Sequence, residues 1–497
     1  MKLPILAAFI VTLLPASSFA LDGQIQIHDP STIVQCEGKF YTYGTGGSAL
    51  VSDDGWTWRR GERPARSGLA PDVIHLGNRY CMYVAANVGA QPKAVINLIS
   101  NKTLDPKSPD YRWEEGGTVA SSDGAEDCNA IDPGVLLDSS NRLWLVYGSY
   151  FGYIRLVELD PHTGKRLDPH SKPVDLAINC EASIMIQHEG WYYLLATHGS
   201  CCAGANSGYN IRMGRSREIT GPFFDHDGVD MIQGGGKLFA GSLSRHIGPG
   251  HFGLIDLGDG VQKFSLHYEA DLDRGGASVL EILPLLWKDG WPMAGENMKS
   301  GSYEIESPRT GTVLELAVQG TPVGGLRVRT RPGSGSGDAP GSGPTAQGSG
   351  PGGGPGGMFA GTGQPIPPQD VTQVAAKWPS GNIPTRMANF LDQAQQKWTI
   401  TAVPEAGGYL GSPYFKITVA GTDRALAATE DEELVTLPAF TGSPEQLWRI
   451  DQLGDGSYRI APKVRESSAL SAIGGSFATL SKFDSSSDKQ HWVFRAL

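Results

Sequence analysis

Asn129-Ala130-Ile131-Asp132-Pro133-Gly134, running on through the polar turn Asp138-Ser139-Ser140-Asn141 into Leu143-Trp144-Leu145-Val146-Tyr147, decides how this chain is read. A carboxylate leads a short apolar strand, a tight turn follows, and an aromatic-rich strand returns. The pattern recurs five times. Asp29-Pro30 passes Gly38 to Phe40-Tyr41-Thr42-Tyr43, and Pro71-Asp72-Val73 passes Gly77-Asn78 to Tyr80 and Tyr83. Asp132-Pro133 leads the third copy, Glu181-Ala182 leads the fourth to Trp191-Tyr192-Tyr193, and His251 leads the fifth to Phe264 and Tyr268. The leading positions 29, 72, 132, 181 and 251 lie 43, 60, 49 and 70 residues apart. A four-stranded blade takes roughly 40–50 residues, with longer intervals absorbed in loops. The expectation is an all-β chain that opens with a five-bladed β-propeller, and the repeat counts against a sandwich of similar hairpins.

The first strand of each propeller blade lines the central channel, so residues at its start converge from different blades. Asp29, Asp132 and Glu181 would gather there. Glycosidic hydrolysis needs one carboxyl group protonated to assist departure and one ionised to activate water or attack. A third carboxylate nearby raises the acid's pKa by like-charge repulsion. The bland alternative for Asp29 and Asp132 is an Asx turn. Glu181 resists that reading, because Cys-Glu-Ala precedes the apolar run Ile184-Met185-Ile186, where an idle acid is costly to bury.

These residues resemble glycoside hydrolase family 43, its arabinanase branch in particular. His28-Asp29-Pro30, Ala130-Ile131-Asp132-Pro133 and Cys180-Glu181-Ala182 are similar to its three catalytic motifs. Gly148-Ser149-Tyr150, Cys201-Cys202-Ala203-Gly204, Gly214-Arg215-Ser216, Thr220-Gly221-Pro222 and Gly248-Pro249-Gly250-His251 follow in family order, so the resemblance covers about residues 26 to 300. It implies an inverting arabinan endo-1,5-α-L-arabinosidase, with Asp29 as general base, Glu181 as general acid, and Asp132 keeping Glu181 protonated and oriented. Inversion calls for roughly 6.5–9.5 Å between base and acid, against about 5–5.5 Å for retention. His28, Asn129, Ser149 and Phe151 are the candidate substrate contacts. His251 would sit at the channel centre beside a mostly water-ligated calcium ion. Leu69 and Phe151 stand where many members carry Trp, and Tyr153 where many carry Gly. That leaves open exo-acting arabinanase, α-L-arabinofuranosidase or β-xylosidase action. A non-catalytic sugar-binding propeller would require loss of one of the three acids, and all are present.

The start of the chain reads as a secretory signal over residues 1–20. Lys2 precedes an apolar run from Leu3 to Leu14, and Ser18 and Ala20 occupy the −3 and −1 positions. An exported protein is expected, extracellular or periplasmic. Asp and Glu outnumber Lys and Arg 52 to 41 with no basic block, which argues against nucleic acid or anionic membrane as partners. The expected partner is arabinan, as in pectin side chains. Six cysteines allow disulfides but do not fix their pairing, and no zinc-type spacing occurs. Adjacent Cys201 and Cys202 look awkward as a pair, since neighbouring Cα atoms lie about 3.8 Å apart.

Beyond residue 300 the sequence changes character. Gln-x-Trp occurs as Gln396-Lys397-Trp398, Gln446-Leu447-Trp448 and Gln490-His491-Trp492, each preceded by an aromatic-led strand and a Leu. Tyr414 to Trp448 and Tyr458 to Trp492 each span 34 residues, whereas Tyr303 to Trp398 spans 95. The excess covers a Gly/Ser/Pro-rich, flexible-linker-like tract at about 331–368. Such a threefold repeat resembles the ricin-type β-trefoil, so residues 301–497 would form a trefoil whose first lobe carries a disordered insert, after a propeller at 21–300. The bland alternative makes Tyr303 to Leu316 the propeller's last strand pair. The trefoil adds the expectation of a second sugar contact.

Overall fold

The computed structural model describes residues 21–89, 92–124, 128–318, 371–474 and 476–497. The expected signal segment and the Gly-rich tract at about 331–368 lie outside the described residues. The first part of the chain folds into five consecutive antiparallel sheets, each with four strands in sequence order. Their innermost strands are Val34–Cys36, Leu69–Leu76, Gly134–Leu137, Glu181–His188 and His246–Asp256. Second strands such as Leu143–Tyr147 are buried along their whole length, whereas the outermost strand of blade 1, Thr57–Arg60, buries only Trp58. The pattern follows from position. Inner strands are packed on both faces and read as continuous apolar runs, while rim strands face water.

Apolar clusters fill the wedges between blades. Leu145, Leu143 and Val157 pack with Tyr83 and Leu98 between blades 2 and 3, and Val146 and Leu156 pack with Met185 and Leu194 between blades 3 and 4. Each large side chain buried this way contributes about 1.5–3 kcal/mol. The ring closes through the N-terminal segment, where Leu280 N–H of blade 5 donates to Ile25 O at 2.9 Å and Ile27 N–H to Ser278 O at 3.2 Å. Asp22–Gly23 then pairs in parallel with the rim strand of blade 1.

One feature repeats around the axis. Asp29, Ala70, Asp132, Ala182 and His251 all have positive φ, between 42° and 55°. Such a backbone costs a non-glycine residue about 1–2 kcal/mol. It turns the chain sharply where it meets the channel, and in blades 2, 4 and 5 the register shifts just there. Two expected leading residues are thereby corrected. The equivalents in blades 2 and 4 are Ala70 and Ala182, so Asp72 lies two residues past the bend and Glu181 one residue before it. Asp72 instead staples three blades, accepting Thr32 N–H at 2.9 Å and Val135 N–H at 2.8 Å.

The second part is a β-trefoil. Gly301–Ser307, Trp398–Ala402, Phe415–Val419, Trp448–Gln452, Tyr458–Pro462 and Val493–Ala496 pair in succession and close through a Tyr458–Trp492 bridge into a six-stranded barrel. Thr312–Leu316 with Ile383–Ala388, Ala425–Ala428 with Leu434–Leu437, and Ser468–Ile473 with Phe477–Lys482 make the three-part cap. The segment Tyr303 to Leu316 therefore belongs to the trefoil. Threefold symmetry reaches the hydrogen bonds: the indoles of Trp398, Trp448 and Trp492 donate to Leu314 O, Leu426 O and Leu470 O at 2.8, 3.1 and 2.8 Å. Gln396, Gln446 and Gln490 each tie the preceding loop with Oε1 accepting a backbone N–H and Nε2 donating to a carbonyl. All three tryptophans are fully buried, so the motif holds the fold.

The trefoil docks on the propeller face away from the bends. Its hairpin at Gly408–Tyr409 and Ser412–Pro413 puts Leu410 into the propeller core beside Phe40 and Trp56. Leu410 N–H donates to Asp54 O and Gly411 N–H to Gly55 O, both in the turn at the far end of blade 1. Buried charges complete the joint: Asp451 of the trefoil lies 3.4 Å from Lys263 Nζ of blade 5, 2.7 Å from Arg449 and 2.8 Å from Arg459.

Candidate active site

At the bend end of the channel the five blades bring together the three acids that the sequence singles out, with four groups it does not. Asp29, 8 % exposed, carries three histidines around its carboxylate. His28 Nδ1 lies 2.8 Å from Oδ2, His251 Nδ1 3.0 Å from Oδ1, and His267 Nδ1 accepts the Asp29 backbone N–H at 3.0 Å. Thr45 donates its hydroxyl to Oδ2 and accepts Ala70 N–H, which links the acid to the bend of blade 2. Burial by itself would push the Asp29 carboxyl up, but His251, His28 and His267 outweigh it and hold it well below the usual range. Asp29 is ionised.

Glu181 and Asp132 face the opposite tendency. Burial is the largest cause and pushes Glu181 up, with the charges of Asp29 and Glu269 adding to it, against the hydroxyl of Tyr209 and against His251. Asp132 is pushed up to about 8, by burial first and by Glu181 and Asp29 after it, while His251 and the Ala182 N–H pull it down. That N–H donates to Asp132 Oδ2 at 3.2 Å and fixes the start of the strand carrying Glu181. Repulsion within the pair is mutual, so ionising either carboxyl holds the proton on the other. Of the three acids that the sequence singles out, Asp29 is thus the carboxylate, and Asp132 and Glu181 are carboxyls that resist ionisation. Environments that push neighbouring carboxyls apart in this way divide base from acid.

The remaining candidates fall in different places. His28 has both ring nitrogens engaged, Nδ1 on Asp29 and Nε2 on Glu269 Oε1 at 3.0 Å. Asn129 and Ser149 are 2 % and 1 % exposed, so both sit within the wall of blade 3. Phe151 is 57 % exposed on the adjoining rim loop, and Tyr150 beside it donates its hydroxyl to Thr197 O of blade 4 at 3.4 Å. His251 lines the channel cavity with Thr32, Asp72 and Ser183.

Sequence reasoning misses Thr45, Tyr209, His267 and Glu269. A signal for the last two is present: Leu266-His267-Tyr268-Glu269-Ala270 puts ionisable groups at alternate positions of a strand buried along its length. Cys201 and Cys202, judged awkward as a pair, are joined by a disulfide with Cα atoms 3.8 Å apart. Cys202 takes a φ of 61°, a local bend that brings the two side chains together, and its N–H donates to Glu269 Oε2 at 3.2 Å. Cys36, Cys81 and Cys180 are buried thiols.

Comparison with known proteins agrees with this architecture. The family model for glycosyl hydrolases family 43 matches residues 38–292, and that for the ricin-type beta-trefoil lectin domain-like family matches residues 394–479. The extracellular exo-α-(1→5)-L-arabinofuranosidase of Cellvibrio japonicus is 32% identical over 321 residues, covering 58% of this chain and 91% of that protein. The extracellular endo-α-(1→5)-L-arabinanase 1 of Bacillus subtilis is 28% identical, covering 54% of this chain and 87% of that one. Among solved structures, an exo-1,5-α-L-arabinanase from a bovine ruminal metagenomic library superposes with a TM-score of 0.51 at 33% identity, covering 55% of this chain and 97% of its own. The Cellvibrio cellulosa α-L-arabinanase complexed with arabinohexaose gives 0.51 at 29% identity, covering 55% and 96%. With half its length matched by the family model and its three expected acids gathered at the end of a five-bladed propeller, the chain belongs to the glycosyl hydrolases of family 43 and carries a C-terminal ricin-type β-trefoil.

Proposed function

We propose that this protein is a secreted arabinanase that hydrolyses α-1,5-linked L-arabinofuranose residues of arabinan, with inversion. The observation that carries the reading is the split among its three channel acids, with Asp29 held ionised by histidines while Glu181 and Asp132 are pushed towards the neutral form. Asp29 is the base: its carboxylate takes a proton from water, whose oxygen attacks the anomeric carbon. Glu181 is the acid: its proton passes to the glycosidic oxygen as that bond breaks. Asp132 orients Glu181 through the Ala182 N–H and shares in keeping it protonated. Export is supported by the two extracellular relatives and by the N-terminal residues read as a signal.

Calcium beside His251 is part of the same reading. His251 lines the channel cavity with its Nδ1 3.0 Å from Asp29 Oδ1, which places its imidazole where a cation in the channel would meet it. A hard cation prefers oxygen, so water would complete such a sphere. The ion would supply positive charge beneath Asp29 and hold His251 in place.

The exo alternative draws on Tyr150, which reaches across to Thr197 and narrows the gap between blades 3 and 4, and on the exo-acting relatives. A trefoil on the opposite face cannot lengthen the cleft, so any sugar it holds is a separate tether to polymer.

Product analysis on debranched arabinan, with Glu181→Gln as control, tests the proposal. Oligosaccharides early in the reaction establish endo action; arabinobiose or arabinose alone establishes exo action. Full turnover by the Gln variant removes Glu181 from the mechanism, and a product first seen by NMR as the anomer of retained configuration removes inversion.

A further inference from the structure

Glu269 has no part in the roles assigned above, yet it is a 5 % exposed carboxylate whose partners all belong to the site. It lies on the second strand of blade 5, Gln262–Asp271, on the same face as His267 two residues earlier. Oε1 lies 3.0 Å from His28 Nε2 and 3.6 Å from His267 Nε2, and Oε2 accepts the Cys202 N–H at 3.2 Å. On the far side of the same imidazole, His28 Nδ1 lies 2.8 Å from Asp29 Oδ2. A neutral imidazole would turn a lone pair towards one of these two carboxylates. An imidazolium gives each a charge-assisted hydrogen bond. The ring also stacks on His267 at 4.6 Å between centroids, which fixes its plane.

We propose that Glu269 is a positioning residue for hydrolysis: through the bridging imidazole of His28 it fixes the carboxylate of Asp29, and the Cys201–Cys202 turn fixes Glu269 in its place. The inference rests on the reading of Asp29 as the base. Its physical content is rigidity. Asp29 must meet a water molecule and the anomeric carbon in line, and a misplacement of about 1 Å costs on the order of 100-fold in rate. The strand of blade 5 and the turn after blade 4's second strand thus brace a side chain of blade 1. Burial of Glu269 is tolerable because both oxygens are bonded and the charge is paired, which holds its carboxyl down to about 2 against the upward push of burial.

The test compares full-length wild type with Glu269→Gln, Glu269→Leu and Asp29→Asn on linear arabino-oligosaccharides. Gln keeps an oxygen for His28 but no charge, whereas Leu removes the anchor. The expected result is kcat lowered roughly 10–100-fold in the Leu variant and less in the Gln variant, with KM within about threefold of wild type. Should the Leu variant fail to fold by circular dichroism, the near-isosteric Gln variant carries the measurement alone. Unchanged kcat with only a lowered melting temperature assigns Glu269 a purely structural role and overturns the proposal. A raised KM at constant kcat makes it a substrate contact and overturns it equally. Retained turnover by Asp29→Asn overturns instead the base assignment, and is told apart because it leaves the Glu269 variants' own rates as measured.

Discussion

The hydroxyl of Tyr209 donates to Oε1 of Glu181, from the residue just before the third strand of blade 4 to the start of its first. This is the one hydrogen bond shown for the Glu181 carboxyl among the described residues, and it opposes the burial that raises the group. Tyr209→Phe removes it. Because the bond favours the ionised form, its loss moves Glu181 further up, and the alkaline limb of the kcat/KM profile shifts to higher pH. Lost orientation lowers kcat by roughly tenfold. A pH–rate series on the variant checks both effects, and an unmoved limb would show that another group controls it.

Phe151 is the most exposed aromatic of the rim, so Phe151→Ala should leave the melting temperature alone, within about 0.5 kcal/mol of stability. Product length should change. Chromatography of early products from debranched arabinan is expected to show a longer oligosaccharide distribution as the rim opens between blades 3 and 4. An identical profile would place the substrate elsewhere.

Glu281 is buried in blade 5 away from the site, and burial pushes its carboxyl up to about 8, with Asp271 adding and the Ile282 N–H and Arg274 opposing. A raised carboxyl binds its proton more tightly in the folded than in the unfolded chain. Native stability therefore falls as pH rises from about 4.5 towards 8. Glu281→Gln lacks that loss. Thermal melts should coincide with wild type near pH 4 and lie about 2–4 °C higher at pH 8, with kcat unchanged. Equal melts at both pH values would mean that Glu281 is ionised in the folded state.

Asp451 reaches all three of Lys263, Arg449 and Arg459 at the joint of the two modules, where Asp259 also pairs with both arginines, and these cations hold it below its usual range despite burial. Asp451→Asn takes the carboxylate from buried Lys263, while Arg449 and Arg459 keep Asp259 and Arg449 keeps Glu466, at a cost of about 3 kcal/mol. Calorimetry should show one shared unfolding transition in wild type and, in the variant, a lowered or divided one. Two separate transitions in wild type would mean that the modules unfold independently.

The two repeats were legible because each is written in local sequence. Asp132-Pro133 before an apolar run and an aromatic return strand marks a blade, and Gln-x-Trp at a fixed distance from an aromatic-led strand marks a trefoil lobe. The register of the bends was less legible: Asp72 reads as a leading acid, but the backbone turns at Ala70, and a period-two strand gives no local sign of a two-residue offset. The Cys201–Cys202 disulfide is not legible in Cα spacing, which says nothing of the left-handed φ at Cys202.

The sequence by itself determined the five blades, the trefoil with its interrupted first lobe, and the acids Asp29, Asp132 and Glu181, because short-range patterning of apolar, turn and acidic residues is enough to specify each. Only the tertiary structure decided what those acids are. Asp29 is ionised because His28, His251 and His267 surround it, and Glu269 reaches it through His28, which lies 241 positions from Glu269 along the chain. It likewise decided that the trefoil docks on the face away from the acids, by placing Leu410 and Asp451 against blades 1 and 5. Burial and pairing set charge states, and both are properties of neighbours in space that no spacing along the chain encodes.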